Sequence, residues 1–130
     1  MKSKRPIDLP LSQVIKVNSK SPIAIASILH RISGIIIFLL IPLLLWMSQA
    51  SLTSQESFDK LAACFADSVL LALAVWVVVA ALLYHFVMGV KHMLADLGWF
   101  EETDSGRLAA WVSLAIAGVL IVWSFFWIVV

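Results

Sequence analysis

Three long apolar segments dominate the pattern of hydrophobic and polar positions along this chain. No charged side chain occurs from Ile32 to Gln55, from Ser68 to Val90, or from Leu108 to Val130. Each segment supplies the ~20 apolar residues that a helix needs to cross a hydrocarbon core of about 30 Å. Because backbone N–H and C=O groups cannot stay unpaired in lipid, each segment is predicted to be helical. The pattern therefore predicts an all-α integral membrane protein, a bundle of three transmembrane helices.

Polar and helix-capping residues set the expected limits of the three spans. Ser21 and Pro22 make a typical helix start, a hydroxyl N-cap followed by proline at the first helical position. Pro42 lies inside the first span, where a lipid-buried helix tolerates it. We expect one membrane domain, residues 22–130, preceded by a polar cytoplasmic arm, residues 1–21, with spans at about 22–48, 67–94 and 107–130.

Two polar connections are expected between the spans. The first is SLTSQES, residues 51–57, after which residues 58–67 could begin the second span early as an interfacial turn. The second is GWFEETDSG, residues 98–106, with glycine at both ends and a Thr-Asp-Ser cluster suited to capping a helix that starts at about Ser105.

Lysine and arginine are distributed unevenly about the spans. Five of them precede the first span: Lys2, Lys4, Arg5, Lys16 and Lys20. Lys91 and Arg107 flank the second connection, whereas the first connection and its turn carry only Lys60. A cytoplasmic N-terminus places seven of these residues inside and one outside, as the positive-inside rule requires. We therefore expect the C-terminus on the opposite side of the membrane.

The composition is typical of a membrane protein, and it argues against several kinds of disulfide, metal and catalytic site. The chain is 62% hydrophobic and 13% charged, whereas a soluble domain is about 45–50% apolar and about 25% charged. The single cysteine, Cys64, excludes an internal disulfide and a CxxC pair. No compact set of nitrogen and sulfur ligands suggests a zinc or copper site. Nucleophile triads and phosphate-binding loops are not indicated either.

The first span carries a polar stripe in SILHRISG, residues 27–34. Ser27, His30, Arg31 and Gly34 are spaced i, i+3, i+4 and i+7, and therefore lie on one helix face. Ionisable groups at membrane depth usually mark a functional path. Simpler roles remain open: Arg31 could snorkel to the headgroups, Ser27 could bond to its own helix, and His30 could be a packing residue.

The second span carries His85, Gly89 and His92 at i, i+4 and i+7, again on one face. An imidazole in a helical membrane bundle suits haem iron as an axial ligand. His85 and His92 are about 10.5 Å apart along the axis, so they cannot approach one iron from opposite sides. His92 could instead bind a propionate, with Gly89 making room for the macrocycle. A second axial histidine would come from His30 or from another polypeptide.

Taken together, SILHRISG, YHFVMGVKHMLADLG at the end of the second span and RPIDLPL ahead of the first resemble the cytochrome b membrane-anchor subunits of succinate dehydrogenase (complex II, succinate:quinone oxidoreductase). The resemblance covers nearly the whole chain. It implies that Ser27 and Arg31 lie at the ubiquinone site, with Asp96 near the quinone region.

For the cofactor, the resemblance implies one haem b. His85 corresponds to the axial ligand of the haem iron, and His30 and His92 correspond to residues beside the propionates, with Arg31 on the same side. The other axial histidine is expected from a second three-helix anchor subunit, which would share the haem.

The resemblance also implies a place in a larger enzyme. Flavoprotein and iron–sulfur subunits dock on the cytoplasmic face of a bacterial inner membrane, and succinate is oxidised in another subunit. The anchor passes electrons to ubiquinone in the tricarboxylic acid cycle and respiratory chain, with lipid as its surroundings and no nucleic-acid partner. Two alternatives stay open: the anchor of a quinol:fumarate reductase and a cofactor-free structural anchor. An ion or proton carrier is less suited, because no buried carboxylate relay accompanies the histidines.

Overall fold

The computed structural model describes residues 10–130, and its regular structure there is entirely α-helical. The helices in chain order are α1 (Leu11–Asn18), α2 (Pro22–Thr53), α3 (Gln55–Asp67), α4 (Val69–Asp96) and α5 (Thr103–Ile128). Three of them, α2, α4 and α5, are long and apolar enough to cross a membrane. The predicted all-α membrane bundle of three spanning helices is therefore confirmed. Residues 1–9 of the predicted arm lie outside the described residues.

Serine hydroxyls define where three of the helices begin. The Oγ atoms of Ser21, Ser54 and Ser68 accept hydrogen bonds from the backbone N–H three residues further on, at 3.4, 3.1 and 3.2 Å. Each bond satisfies one of the N–H groups that a helix leaves unpaired in its first turn. Pro22 occupies the first turn of α2, where it removes an N–H that has no helical partner.

The first connection differs from the polar loop expected over residues 51–57. Helix α2 continues to Thr53, and only Ser54, with extended backbone (φ −164°, ψ 163°), separates it from α3. Helix α3 is a separate helix rather than an early start of the second span. Side-chain pairing one turn apart supports it, as in the 2.6 Å contact between Lys60 and Glu56.

A tight turn ends α4 at Gly98. The N–H of Trp99 donates to the carbonyl of Leu94 at 3.1 Å, and the N–H of Gly98 donates to that of Ala95 at 3.0 Å. This is the hydrogen-bond pattern of a Schellman motif, whose left-handed position favours glycine. Gly98 has the required positive φ of 86°. The reversal brings α5 back beside α4.

Helix α5 begins slightly earlier than expected, at Thr103. The Thr-Asp-Ser cluster therefore lies in its first turn instead of capping it from outside. Ser105 Oγ donates to the carbonyl of Glu102 at 2.9 Å, and Glu102 makes no side-chain cap bond.

The three spanning helices meet near the end of the bundle where α2 begins, α4 ends and α5 begins, which we call the α2-start end. The buried cluster there takes one residue from each helix: Ala26, Met88 and Ala110. Small residues on two of the three helices allow close approach. Tyr84 also donates its hydroxyl hydrogen to the carbonyl of Ala26 at 3.1 Å, which joins α4 to α2. These contacts fix the two helices that carry the histidines.

Most of the spanning surface is not covered by this chain. Only 6% of the most apolar window of α2 is buried, against 22% for α4 and 17% for α5. Exposed apolar side chains line all three helices, among them Phe38, Phe86 and Trp127. Such a surface suits lipid and further helices. Packing with a second anchor subunit stays a prediction.

Candidate functional site

The three histidines of the chain come together between α2 and α4. The rings of His30 and His85 stack with centroids 4.0 Å apart and 19° between their planes. The ring centroid of His92 is 5.1 Å from that of His30, with 49° between the two ring planes. Because α2 and α4 run in opposite directions, the start of one helix meets the end of the other. The two polar stripes found in the sequence therefore form one site.

The Nδ1 atom of His85 lies within hydrogen-bond distance of two oxygens. It is 3.1 Å from the carbonyl oxygen of His30 and 3.0 Å from Oγ of Ser33. A carbonyl can only accept, so this geometry favours a proton on Nδ1 of His85. The other ring nitrogen, Nε2, then keeps its lone pair. That is the arrangement in which a histidine can bind a metal while its second nitrogen is held by the protein.

Among residues 10–130, neither Nε2 of His30 nor Nε2 of His85 has a hydrogen-bond partner. His30 Nε2 is the single buried side-chain nitrogen or oxygen without a partner in residues 10–130. Leaving such a group unpaired costs about 1–3 kcal/mol, so a polar group from outside the described residues would stabilise it. Nε2 of His85 also lacks a partner among these residues, but it is not fully buried.

Glycines let the rings lie close to the opposite helix. A Cβ atom on Gly34 would stand 3.1 Å from Cε1 of His85, closer than the packing allows without movement. A Cβ on Gly89 would stand 3.8 Å from Nε2 of His30, an ordinary contact distance. Alanine at position 34 would therefore push the ring of His85 away by a few tenths of an ångström, whereas Gly89 leaves space beside His30.

These residues fit haem better than a bare metal ion. The described part of the chain holds no group of three or more His, Cys, Asp or Glu residues placed to bind a metal ion together. One imidazole with a free Nε2 is what a chain contributes to a haem shared with another ligand. His30 cannot be that second ligand in this arrangement, because its ring stacks face to face on His85, on the same side of any iron that His85 would bind.

Ser27, Arg31 and Asp96 lie around the histidine cluster rather than in it. Ser27 is half-buried and Arg31 is exposed, and they lie one turn apart on α2. Arg31 forms no salt bridge within residues 10–130. Asp96 is exposed at the last residue of α4, one turn beyond His92, and no described hydrogen bond or salt bridge joins it to Ser27 or Arg31.

Ser33 is a site residue that the sequence pattern did not single out. It is buried, and its hydroxyl donates to the carbonyl of His30 at 2.7 Å. Its position three residues after His30 gives a signal for that backbone bond. Its contact with His85 depends on how α2 and α4 are aligned. The sequence pattern within a single helix does not predict that alignment.

Comparison with known proteins gives matches along almost the entire chain. Residues 1–124 match the family described as succinate dehydrogenase/fumarate reductase transmembrane subunit. A succinate dehydrogenase cytochrome b556 subunit from Coxiella burnetii is 35% identical over 128 residues, which is 98% of this chain and 99% of the relative. Proteins of the same name from Paracoccus denitrificans and Rickettsia felis are 29% and 26% identical, over 87% and 93% of this chain and 86% and 92% of their own lengths. The matched region contains all three histidines.

Proposed function

This chain belongs to the succinate dehydrogenase/fumarate reductase transmembrane subunit family, and from that membership we propose that it is the haem b-containing membrane anchor of a succinate:quinone oxidoreductase. The family expected from SILHRISG and the second-span motif is confirmed. Its spanning helices make it a multi-pass membrane protein.

The observation that carries the haem assignment is the environment of His85. Its Nδ1 is held by His30 and Ser33, and its Nε2 is free, beside a glycine that lets the ring lie close to α2. We assign His85 as the axial ligand contributed by this chain. Haem b supplies a one-electron redox centre when bound. The second axial histidine then belongs to a partner anchor subunit.

The neighbouring cations and donors are assigned to the haem propionates. His30 Nε2 is buried and lacks a partner, so a propionate oxygen would satisfy it if His30 carries its proton there. His92 lies beside His30, and Arg31 follows His30 in the chain. A propionate next to these side chains is a paired rather than an isolated charge, which is the condition for burying it at low cost.

Ser27 and Arg31 are assigned to the quinone substrate. They lie one turn apart on the same side of α2, so both can reach one small headgroup. A quinone carbonyl accepts hydrogen bonds, and negative charge develops on its oxygens as it is reduced. A fixed guanidinium in a site that excludes water stabilises that charge strongly. Asp96, on the neighbouring end of α4, is assigned to the outer part of the same region.

The orientation follows from charge and from the position of the site. The positive-inside rule places the α2-start end of the bundle at the cytoplasmic surface. Flavoprotein and iron–sulfur subunits docked there would deliver electrons from succinate next to Arg31 and the histidines. The membrane is then the bacterial inner membrane, with the C-terminus on its other side.

The anchor of a quinol:fumarate reductase is the second candidate, because the matching family description includes fumarate reductase. It would use the same residues with the electron flow reversed. The relatives named above are all succinate dehydrogenase subunits, which favours the forward direction. A cofactor-free anchor leaves the free Nε2 of His85 and the unpaired Nε2 of His30 without a purpose.

A reduced-minus-oxidised optical spectrum of the purified membrane complex tests the proposal. We expect the bands of a b-type haem and a low-spin electron paramagnetic resonance signal. The variant His85→Leu should change that signal, while Phe86→Leu, at the exposed neighbouring position, should not. A wild-type complex without haem b would refute the proposal, and an unchanged signal in His85→Leu would refute the ligand assignment.

A further inference from the structure

Ser33 is buried at the centre of the hydrogen bonds that hold His85. The residue is 5% exposed, although it lies on a helix whose surface is mostly open. A hydroxyl has one hydrogen to donate and two lone pairs to accept with. The hydrogen goes to the carbonyl of His30 at 2.7 Å.

With its hydrogen used, Ser33 Oγ can act only as an acceptor toward His85. Nδ1 of His85 is 3.0 Å from that oxygen and 3.1 Å from the carbonyl of His30. The Nδ1–H group therefore points between two acceptors on adjacent turns of α2. Two acceptors fix the tautomer of His85 and limit the rotation of its ring. A single acceptor would constrain the ring less.

We propose that Ser33 is a positioning residue for the haem ligand: it holds the proton on Nδ1 of His85 and thereby sets the direction and basicity of Nε2. This inference rests on the proposed function, because it takes His85 to bind the iron. Hydrogen bonds to the second nitrogen of a metal-bound histidine raise its strength as a donor and fix its orientation. A stronger donor favours ferric over ferrous iron, so Ser33 lowers the midpoint potential of the haem.

Ser124 provides a matched control within the same chain. It is 8% exposed, and its hydroxyl donates to the carbonyl of Ile121, also three residues earlier, at 2.8 Å. It lies on α5 and makes no hydrogen bond to a histidine. Replacing Ser124 by alanine therefore removes a buried serine and its backbone bond without touching the ligand.

The test compares Ser33→Ala and Ser124→Ala in the purified complex. We expect Ser33→Ala to raise the haem midpoint potential and to change the g values of the low-spin electron paramagnetic resonance signal. Ser124→Ala should leave both at their wild-type values.

A second comparison uses Ser33→Thr and Ser33→Val. The threonine and valine side chains have nearly the same shape, but only threonine has a hydroxyl. The threonine hydroxyl can keep the bond to the preceding turn, so the haem midpoint potential of Ser33→Thr should stay near the wild-type value. The midpoint potential of Ser33→Val should rise.

Wild-type potential and g values in Ser33→Ala would overturn the inference, as would equal shifts in Ser33→Ala and Ser124→Ala. If Ser33→Ala does not assemble, equal potentials in the threonine and valine variants would overturn it. Failure of the proposed function looks different, since the wild-type complex would then contain no haem b. Where His85→Leu changes the resonance signal and Ser33→Ala does not, the haem assignment stands and only the role of Ser33 is rejected.

Discussion

His30 contacts His85 twice, through its backbone carbonyl and through its ring. The carbonyl oxygen lies 3.1 Å from Nδ1 of His85, while the ring stacks on His85 at 4.0 Å and presents an unpaired Nε2 beside Gly89. His30 thus orients the assigned iron ligand through its carbonyl, and its Nε2 can make a further hydrogen bond next to that ligand. This pairing explains why the two motifs occur together: neither helix alone makes the site.

Gly34 should tolerate replacement by alanine poorly. A Cβ at this position would stand 3.1 Å from Cε1 of His85, so Gly34→Ala has to displace the ring or the helix. We expect a lower thermal unfolding midpoint for the complex and a shifted haem spectrum. Gly118→Ala is the control: no atom lies within 4 Å of its Cβ position, and alanine is favoured in a helix by up to about 1 kcal/mol. Wild-type stability and spectrum in Gly34→Ala would contradict the packing described here.

His92 should behave as a propionate neighbour and not as a ligand. Removing it with His92→Leu takes a donor away from a negative propionate, which favours the ferric state and lowers the midpoint potential. The low-spin resonance signal should remain, because both axial histidines are still present. His85→Leu should alter that signal, and the comparison between the two variants separates the roles. A high-spin signal in His92→Leu would identify it as a ligand instead.

The spans could be predicted from sequence because the cause is local. Absence of charge over a membrane-length segment forces a helix, and Ser21 with Pro22 marks where α2 starts. The sequence pattern predicts only part of helix α3, since it assigns residues 51–57 to a polar connection and residues 58–67 to an early, interfacial start of the second span. Its side-chain pairs, such as Lys60 with Glu56, become visible only once the segment is placed on a helix.

The sequence predicts which helix faces carry the site, but it does not predict which residues contact each other across the two helices. The spacing of His30 and Arg31 on one helix, and of His85 and His92 on the other, identifies the faces that carry chemistry. Which residue of α2 touches His85 depends on the alignment of two antiparallel helices, and helical periodicity says nothing about it. Ser33 was missed for that reason.

Cys64 offers a direct measurement of orientation. It is exposed on α3, between the first two spanning helices, so a cytoplasmic N-terminus places it on the opposite side of the membrane. A membrane-impermeant maleimide should label Cys64 in sealed right-side-out vesicles and not in inside-out vesicles. The control is Ser105→Cys in a Cys64→Ala background, which lies at the α2-start end and should show the reverse pattern. Labelling of Cys64 from the cytoplasmic side alone would overturn the assigned orientation.

Quinone reduction should depend on Ser27 and Arg31, and the kind of dependence distinguishes substrate binding from contact with headgroups. Loss of a donor to developing negative charge costs about 10²–10³-fold in turnover. We expect Ser27→Ala and Arg31→Leu to slow quinone reduction severely in the purified complex. Succinate oxidation with a soluble electron acceptor should survive in both, because that chemistry lies in another subunit. Arg107→Leu removes an exposed arginine at the same end of the bundle and should leave quinone reduction intact.

The conservative variant Arg31→Lys separates the two roles of the arginine. If Arg31 only reaches the headgroups, lysine keeps the charge and the activity is almost unchanged. If Arg31 binds the quinone, activity falls, because a compact ammonium cannot reproduce the planar fork of donors that a guanidinium presents. Arg31 is exposed and has no ion pair within residues 10–130, so its donors are available to a substrate. Near-normal quinone reductase activity in both Ser27→Ala and Arg31→Leu would place the quinone elsewhere.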